Sequence, residues 1–179
     1  RQMCIRDRLI GVTTHFYQGI RKSAVASLFT FISTLHSLCD SPAWVPGDTN
    51  GVQLDPNVEK IAQVIMPAIM ETWEAEDDRT AAIEICQSFA SCLNKCGPGL
   101  ISPQWIEPTC QLTLQILEKK APSQIDPEAD EDEETEDSSE YESVLISAAM
   151  DLVGAMAYVL CDSFMTPMRQ FLPLLCKYY

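Results

Sequence analysis

RTAAIEICQSFASCLNKCGPGLISP, Arg79 to Pro103, contains a helix, its stop signal and the start of the next helix. Ala82, Ile85, Cys86, Phe89, Ala90 and Leu93 recur at three- and four-residue steps, which lines them along one helical face. Gly97-Pro98-Gly99 ends the helix, because glycine accepts backbone that other residues avoid and proline supplies no N–H. Ser102-Pro103 then opens another, with serine at the cap and proline at the first helical position, where its missing donor costs nothing.

The same grammar runs outward in both directions. Upstream, Ala24, Leu28, Phe31, Ile32, Leu35 and Cys39 share a face, and a loop from Asp40 to Pro56 follows, broken by prolines and glycines. Asp55-Pro56 caps a helix carrying Val58, Ile61, Ala62, Ile65, Ile69 and Trp73, with Pro67 inside it as an expected kink. Glu74 to Asp78 forms an acidic turn suited to the N-terminus of the helix that follows. Downstream, Ile106, Cys110, Leu114 and Leu117 precede an acidic insertion, 121–137, and helix returns with Leu145, Ala148, Ala149, Leu152, Val153, Met156 and Leu160. Thr166-Pro167 repeats the cap-then-proline start, ahead of Met168, Phe171, Leu172 and Leu175. No stretch alternates convincingly with the period of a strand.

The matched phrases define a repeat. Ser102-Pro103 and Thr166-Pro167 stand 64 positions apart, and Arg21-Lys22-Ser23-Ala24 and Arg79-Thr80-Ala81-Ala82 stand 58 apart. Each interval holds one long insertion, 40–56 or 121–137; replacing it by a short turn leaves roughly 44–50 residues, the HEAT/armadillo period. A helix pair of that kind cannot bury its apolar stripe alone, so it stacks on neighbours. The expected fold is all-α, an α-α superhelix of about three stacked helix pairs: the helix 18–39, then 56–75 with 78–96, 103–120 with 140–160, and an unpaired helix from Pro167. Residues 1–8, RQMCIRDR, fit nothing that follows and read as a non-native leader, leaving 9–179 as the solenoid; both ends read as cut from a longer protein.

The formal net charge is −14, and eleven acids between Asp126 and Glu142, with no base among them, account for −11 of it. A chain of this balance is not built to bind nucleic acid directly, which requires clustered Lys and Arg. The apolar run 144–161 carries Asp151 at its centre and is one-sided, so it reads as a core helix and not as a membrane insertion. The eight cysteines are scattered over apolar helical positions and read as reduced core residues; Cys86, Cys92 and Cys96 lack the fourth closing ligand of a structural zinc site. No phosphate loop, nucleophile elbow or Cys-His arrangement is present, so no catalytic residue, metal ligand or cofactor is assigned.

HFYQGIRKSAVASL (15–28) resembles a HEAT turn and inner helix, and METWEAEDDRTAAIEICQSFASCLNKCGPGLISP (70–103) resembles the central-to-C-terminal repeats of the importin-β (karyopherin-β) family. The acids followed by EYESVLISAAMDLVGAMAYVL and FMTPMRQFLPLLCKYY resemble, more specifically, a fungal-type subfamily in which an acidic insertion precedes a similar helix pair. The resemblance covers 11–179. It implies a superhelical receptor that carries cargo on its inner face, binds the GTPase Ran and the FG repeats of nucleoporins, and moves between cytoplasm and nucleus through the nuclear pore. The family's principal Ran contacts lie in N-terminal repeats outside the matched phrases.

Two surface features have alternative readings. Asp130, Glu131, Asp132, Glu133, Glu134, Glu136 and Asp137 read as a solvated linker or, with the resemblance added, as a contact for basic cargo proteins. Pro67 and Pro173 bend outer helices, or border shallow apolar grooves for nucleoporin phenylalanines; Trp44, Trp73 and Trp105 are packing anchors or partner sites. The competing functions are a HEAT scaffold of a phosphatase or translation-factor pathway and an unrecognised enzyme.

Overall fold

The computed structural model describes residues 5–39, 44–45, 54–125 and 136–178. Among them there is no strand. Seven α-helices follow one another: α1 (Ile5–Ile10), α2 (Gln18–Leu38), α3 (Pro56–Glu74), α4 (Arg79–Cys96), α5 (Pro103–Leu117), α6 (Glu136–Leu160) and α7 (Met165–Tyr178). They form two layers. α2, α4 and α6 stack side by side, with α4 packed most extensively on both neighbours, while α1, α3, α5 and α7 touch in succession along the other layer. This is the HEAT-like stack that the 44–50-residue period implies.

The expected caps largely hold. Asp55 accepts from the Asn57 N–H at 2.8 Å, with Pro56 at the first position of α3. Asp78 accepts from the Ala81 N–H at 2.8 Å and opens α4. Ser102 stands at the cap of α5 but its side chain makes no capping bond. α3 continues through Pro67, and proline also lies inside α5 (Pro108) and α7 (Pro173), so every long helix of this layer carries one.

Residues 5–8 are part of α1, which packs on α2 and α3. Two boundaries differ from expectation. α6 begins at Glu136 and not at 140, so the acids 136 and 137 enter its first turn, where the helix dipole favours them. α7 begins at Met165: a tight turn, Cys161–Phe164, runs straight into it, so Thr166 lies inside the helix and caps nothing. The break after α6 comes from Cys161, whose φ of 46° leaves helical space.

The core is continuous between the layers. Phe29 of α2 stacks on Phe89 of α4 with ring centroids 5.1 Å apart, and Trp73 of α3 meets the same Phe89 edge-on at 6.5 Å. The apolar stretch from α6 into α7 is long and apolar enough by composition to cross a membrane, but its stripe is occupied within the protein. Leu145, Ala149, Leu152 and Met156 are fully buried in the helical stack.

Candidate interaction surface

Asp130, Glu131, Asp132, Glu133 and Glu134 lie outside the described residues, and Glu136 and Asp137 are the first two residues of α6. Gln124 near the start of the 121–137 insertion and Glu142 beyond its end are joined to each other and to the body. Ala121 and Ser123 are buried in a tight turn, Pro122–Gln124, and the Gln124 amide donates to the Ile116 carbonyl at 3.0 Å and to the Glu142 carboxylate at 2.9 Å. Lys119 reaches Glu142 from the end of α5 at 3.8 Å. The described residues on either side of the acidic run are therefore joined where α5 ends and α6 begins.

The repeat phrase around Arg21 and Arg79 has a role that periodicity did not disclose. Arg21 grips Glu76, in the turn before α4, through two parallel N–H bonds, and also reaches Asp77 at 2.9 Å. Its other terminal nitrogen donates to the carbonyls of His15 and Phe16, both at 3.1 Å. The hydrogen bond to Glu76 raises the Arg21 pKa further, against the effect of burial. One repeat later Arg79 donates to the Ser123 carbonyl at 3.1 Å, in the turn before α6. Arg21 thus fastens α2 to the turn that opens α4, and Arg79 fastens α4 to the turn that follows α5. The matched Arg phrases were the signal; the acceptors lie in turns that show no periodicity.

Two clefts run between helices. One of about 240 Å³ lies between α2 and α4 and is lined by Thr30, Ser33, Glu84, Gln87, Ser91 and Lys95. A smaller one lies between α3 and α5, against Ala62, Met66, Leu100 and Trp105. The Trp105 indole N–H is buried there and has no acceptor among the described residues. Trp73 is a core residue. Trp44 crosses from the 40–56 loop to rest on Gly97 and meets Tyr158 of α6 edge-on at 5.4 Å.

The thiols behave as core. Cys86, Cys92, Cys96 and Cys110 are buried, and no three potential ligands cluster around a metal position among the described residues. Burial pushes the Cys86 thiol up to about 12, and burial followed by the charge of Glu107 does the same for Cys110. Cys92 is raised by its hydrogen bond with Cys96, 3.9 Å away, and by burial. Cys86, Cys92 and Cys110 thus stay protonated at neutral pH, which makes them poor nucleophiles, whereas the same hydrogen bond from Cys92 lowers the Cys96 thiol.

No family model matches the chain. It is 33% identical over 181 residues to the "Probable importin subunit beta-4" of Schizosaccharomyces pombe, covering 97% of this chain and 17% of that protein. It is 28% identical over 164 residues to "Importin-4" of Mus musculus, covering 90% of this chain and 14% of that protein. The chain thus spans about a sixth of the length of these relatives. Two layers of helices in HEAT-like register, and identity of 33% along nearly the whole chain, establish that it belongs to the importin-β family.

Proposed function

We propose that this chain is a segment of a nuclear import receptor that moves basic protein cargo between cytoplasm and nucleus through the nuclear pore. The observation that supports the reading is the acidic run in the sequence of an importin-β-family chain, with Gln124 before it hydrogen-bonded to Glu142 at its end. Asp130, Glu131, Asp132, Glu133, Glu134, Glu136 and Asp137 supply a field that attracts Lys/Arg-rich segments and speeds encounter, with little geometric selectivity. FG nucleoporins would use shallow apolar grooves bordered by the helices that carry Pro67 and Pro173. Ran dependence belongs to the whole receptor and is tested there, by capture of the full-length protein on GTP-loaded Ran.

Association rates with a basic cargo at several salt concentrations test the role of the run. Neutralising the seven acids to Asn/Gln is expected to slow association and flatten its salt dependence, with helix content unchanged. The attraction fades as the screening length falls from about 10 Å at 0.1 M to about 3 Å at 1 M. Identical rates and salt slopes for both proteins would leave the run a solvated linker.

A further inference from the structure

α4 holds a thiol pair that the transport reading does not use. Cys92 and Cys96 lie one helical turn apart on its buried face, with their Sγ atoms 3.9 Å apart. Cys92 Sγ also donates to the Phe29 carbonyl of α2 at 3.6 Å. The cleft of about 240 Å³ between α2 and α4 has Phe29 and Cys92 in its wall, so Cys92, buried in the stack, borders open space on one side. An apolar cavity of about 150 Å³ takes benzene, so this cleft has room for an aryl group.

Geometry separates the reactions open to the pair. A disulfide needs Cβ atoms about 3.5–4.5 Å apart, whereas residues four apart on a helix hold theirs about 5–6 Å apart. Closing one would therefore unwind the last turn of α4, which ends at Cys96. A single soft atom between the sulfurs needs no such movement: two thiolates bound at about 2.3 Å to one tetrahedral zinc stand about 3.8 Å apart. Zinc itself would need further ligands, and no three candidate ligands cluster among the described residues. Trivalent arsenic that carries one organic group needs only two. We infer that Cys92 and Cys96 form a dithiol site for a monosubstituted trivalent arsenic compound, with its organic group in the α2–α4 cleft. The step joins R–As(OH)₂ and two thiols to give R–As(S–Cys)₂ and two waters. Two As–O bonds break, two As–S bonds form, each thiol proton leaves in a water, and arsenic stays trivalent. The hydrogen bond from Cys92 lowers the Cys96 thiol, so a thiolate forms there more readily than at Cys86, which burial pushes up to about 12. The second As–S bond closes within the molecule, which makes the ring resist competing monothiols.

The test loads the full chain with one equivalent of phenylarsine oxide, washes it in excess 2-mercaptoethanol, digests it with trypsin and reads the peptides by mass spectrometry. Trypsin cuts after Lys95, between the two cysteines, so arsenic is expected to hold peptide 80–95 to peptide 96–119. A dithiol, 2,3-dimercaptopropanol, is expected to release the arsenic at a concentration at which 2-mercaptoethanol does not. Cys92→Ala and Cys96→Ala should each lower the arsenic retained after the wash about tenfold or more, with helix content unchanged, while Cys86→Ala keeps it within about twofold. Arsenic on either peptide alone, equal release by the two reagents, or undiminished retention in both Cys92→Ala and Cys96→Ala would overturn the inference. The joined peptides come from the unsubstituted chain and decide the question where a variant fails to fold.

Discussion

Removing the Arg21 guanidinium while keeping its aliphatic bulk, Arg21→Met, should be among the costliest single changes in the α2–α4–α6 layer. The Glu76 side chain is 1% exposed and that of Arg21 14%, so the carboxylate depends on this arginine for its charge and most of its hydrogen bonds. After the substitution it keeps the Asp78 N–H at 3.1 Å and little else. Breaking a buried pair from one side costs about 3–5 kcal/mol; the retained donor and the partial exposure of Arg21 put this case at the lower end, about 3 kcal/mol. Lys22 is the internal control: it faces Glu84 at 3.9 Å with 43% of its side chain exposed, and Lys22→Met should cost about 0.5 kcal/mol or less. Arg21→Met/Glu76→Leu, which removes both charges, should recover more than half of the loss. Urea unfolding followed by circular dichroism reads all three. With a slope of about 2 kcal/mol/M, the single variant moves the midpoint down by about 1.5 M at unchanged slope. If Arg21→Met costs no more than Lys22→Met, or if the double variant is less stable than the single, the clamp is not what joins the repeats.

Gly97 and Gly154 should respond in opposite directions to alanine. Gly97, at φ 72° and ψ −164°, occupies backbone that is essentially glycine-only, and a Cβ would stand 2.6 Å from the Trp44 ring, so Gly97→Ala should cost about 2 kcal/mol in the same melts. Gly154 lies mid-helix in open space, and Gly154→Ala should gain about 0.5–1 kcal/mol. Alkaline stability should report the buried thiols. The unfolded chain releases their protons near 9, whereas Cys86 and Cys110 hold theirs to about 12, so their contribution is complete below pH 9 and is lost as pH rises from 9 towards 12. Cys86→Ala should flatten that decline, measured as unfolding midpoint against pH, and iodoacetamide at pH 8 should label the exposed Cys176 long before either of them.

What the sequence revealed and what it hid divide along the range of the interaction. α3 and α4 were legible almost to the residue, because Asp55-Pro56 and Asp78 are local signals whose hydrogen bonds close within three residues. α7 was misplaced because Thr166-Pro167 is a start signal only where the chain before it is irregular. The turn Cys161–Phe164 instead delivers a chain already coiled. The insertion read as 121–137 looked uniformly unsuited to helix by composition. Its first residues are nonetheless held by Arg79 and by the Gln124 bridge, contacts that composition cannot show. Of the seven acids read as a site, five lie outside the described residues, and 136 and 137 proved to start α6.

The surfaces of this chain belong to no single repeat, which is why no motif marked them. Trp44 comes from the loop after α2, its seat Gly97 from the end of α4, and its ring partner Tyr158 from α6. Each was visible in the sequence only as a loop tryptophan, a helix-stop glycine and one more residue of an apolar run. What brings them together is the parallel stacking of α2, α4 and α6, and that stacking is fixed by the Arg21–Glu76 clamp and the Phe29–Phe89 contact. A change of register at either place would therefore displace Trp44 relative to Tyr158 without touching them. Arg21→Met consequently has a second expected reading besides stability: a weaker near-UV circular dichroism signal from the Trp44–Tyr158 contact under conditions where the variant is still folded.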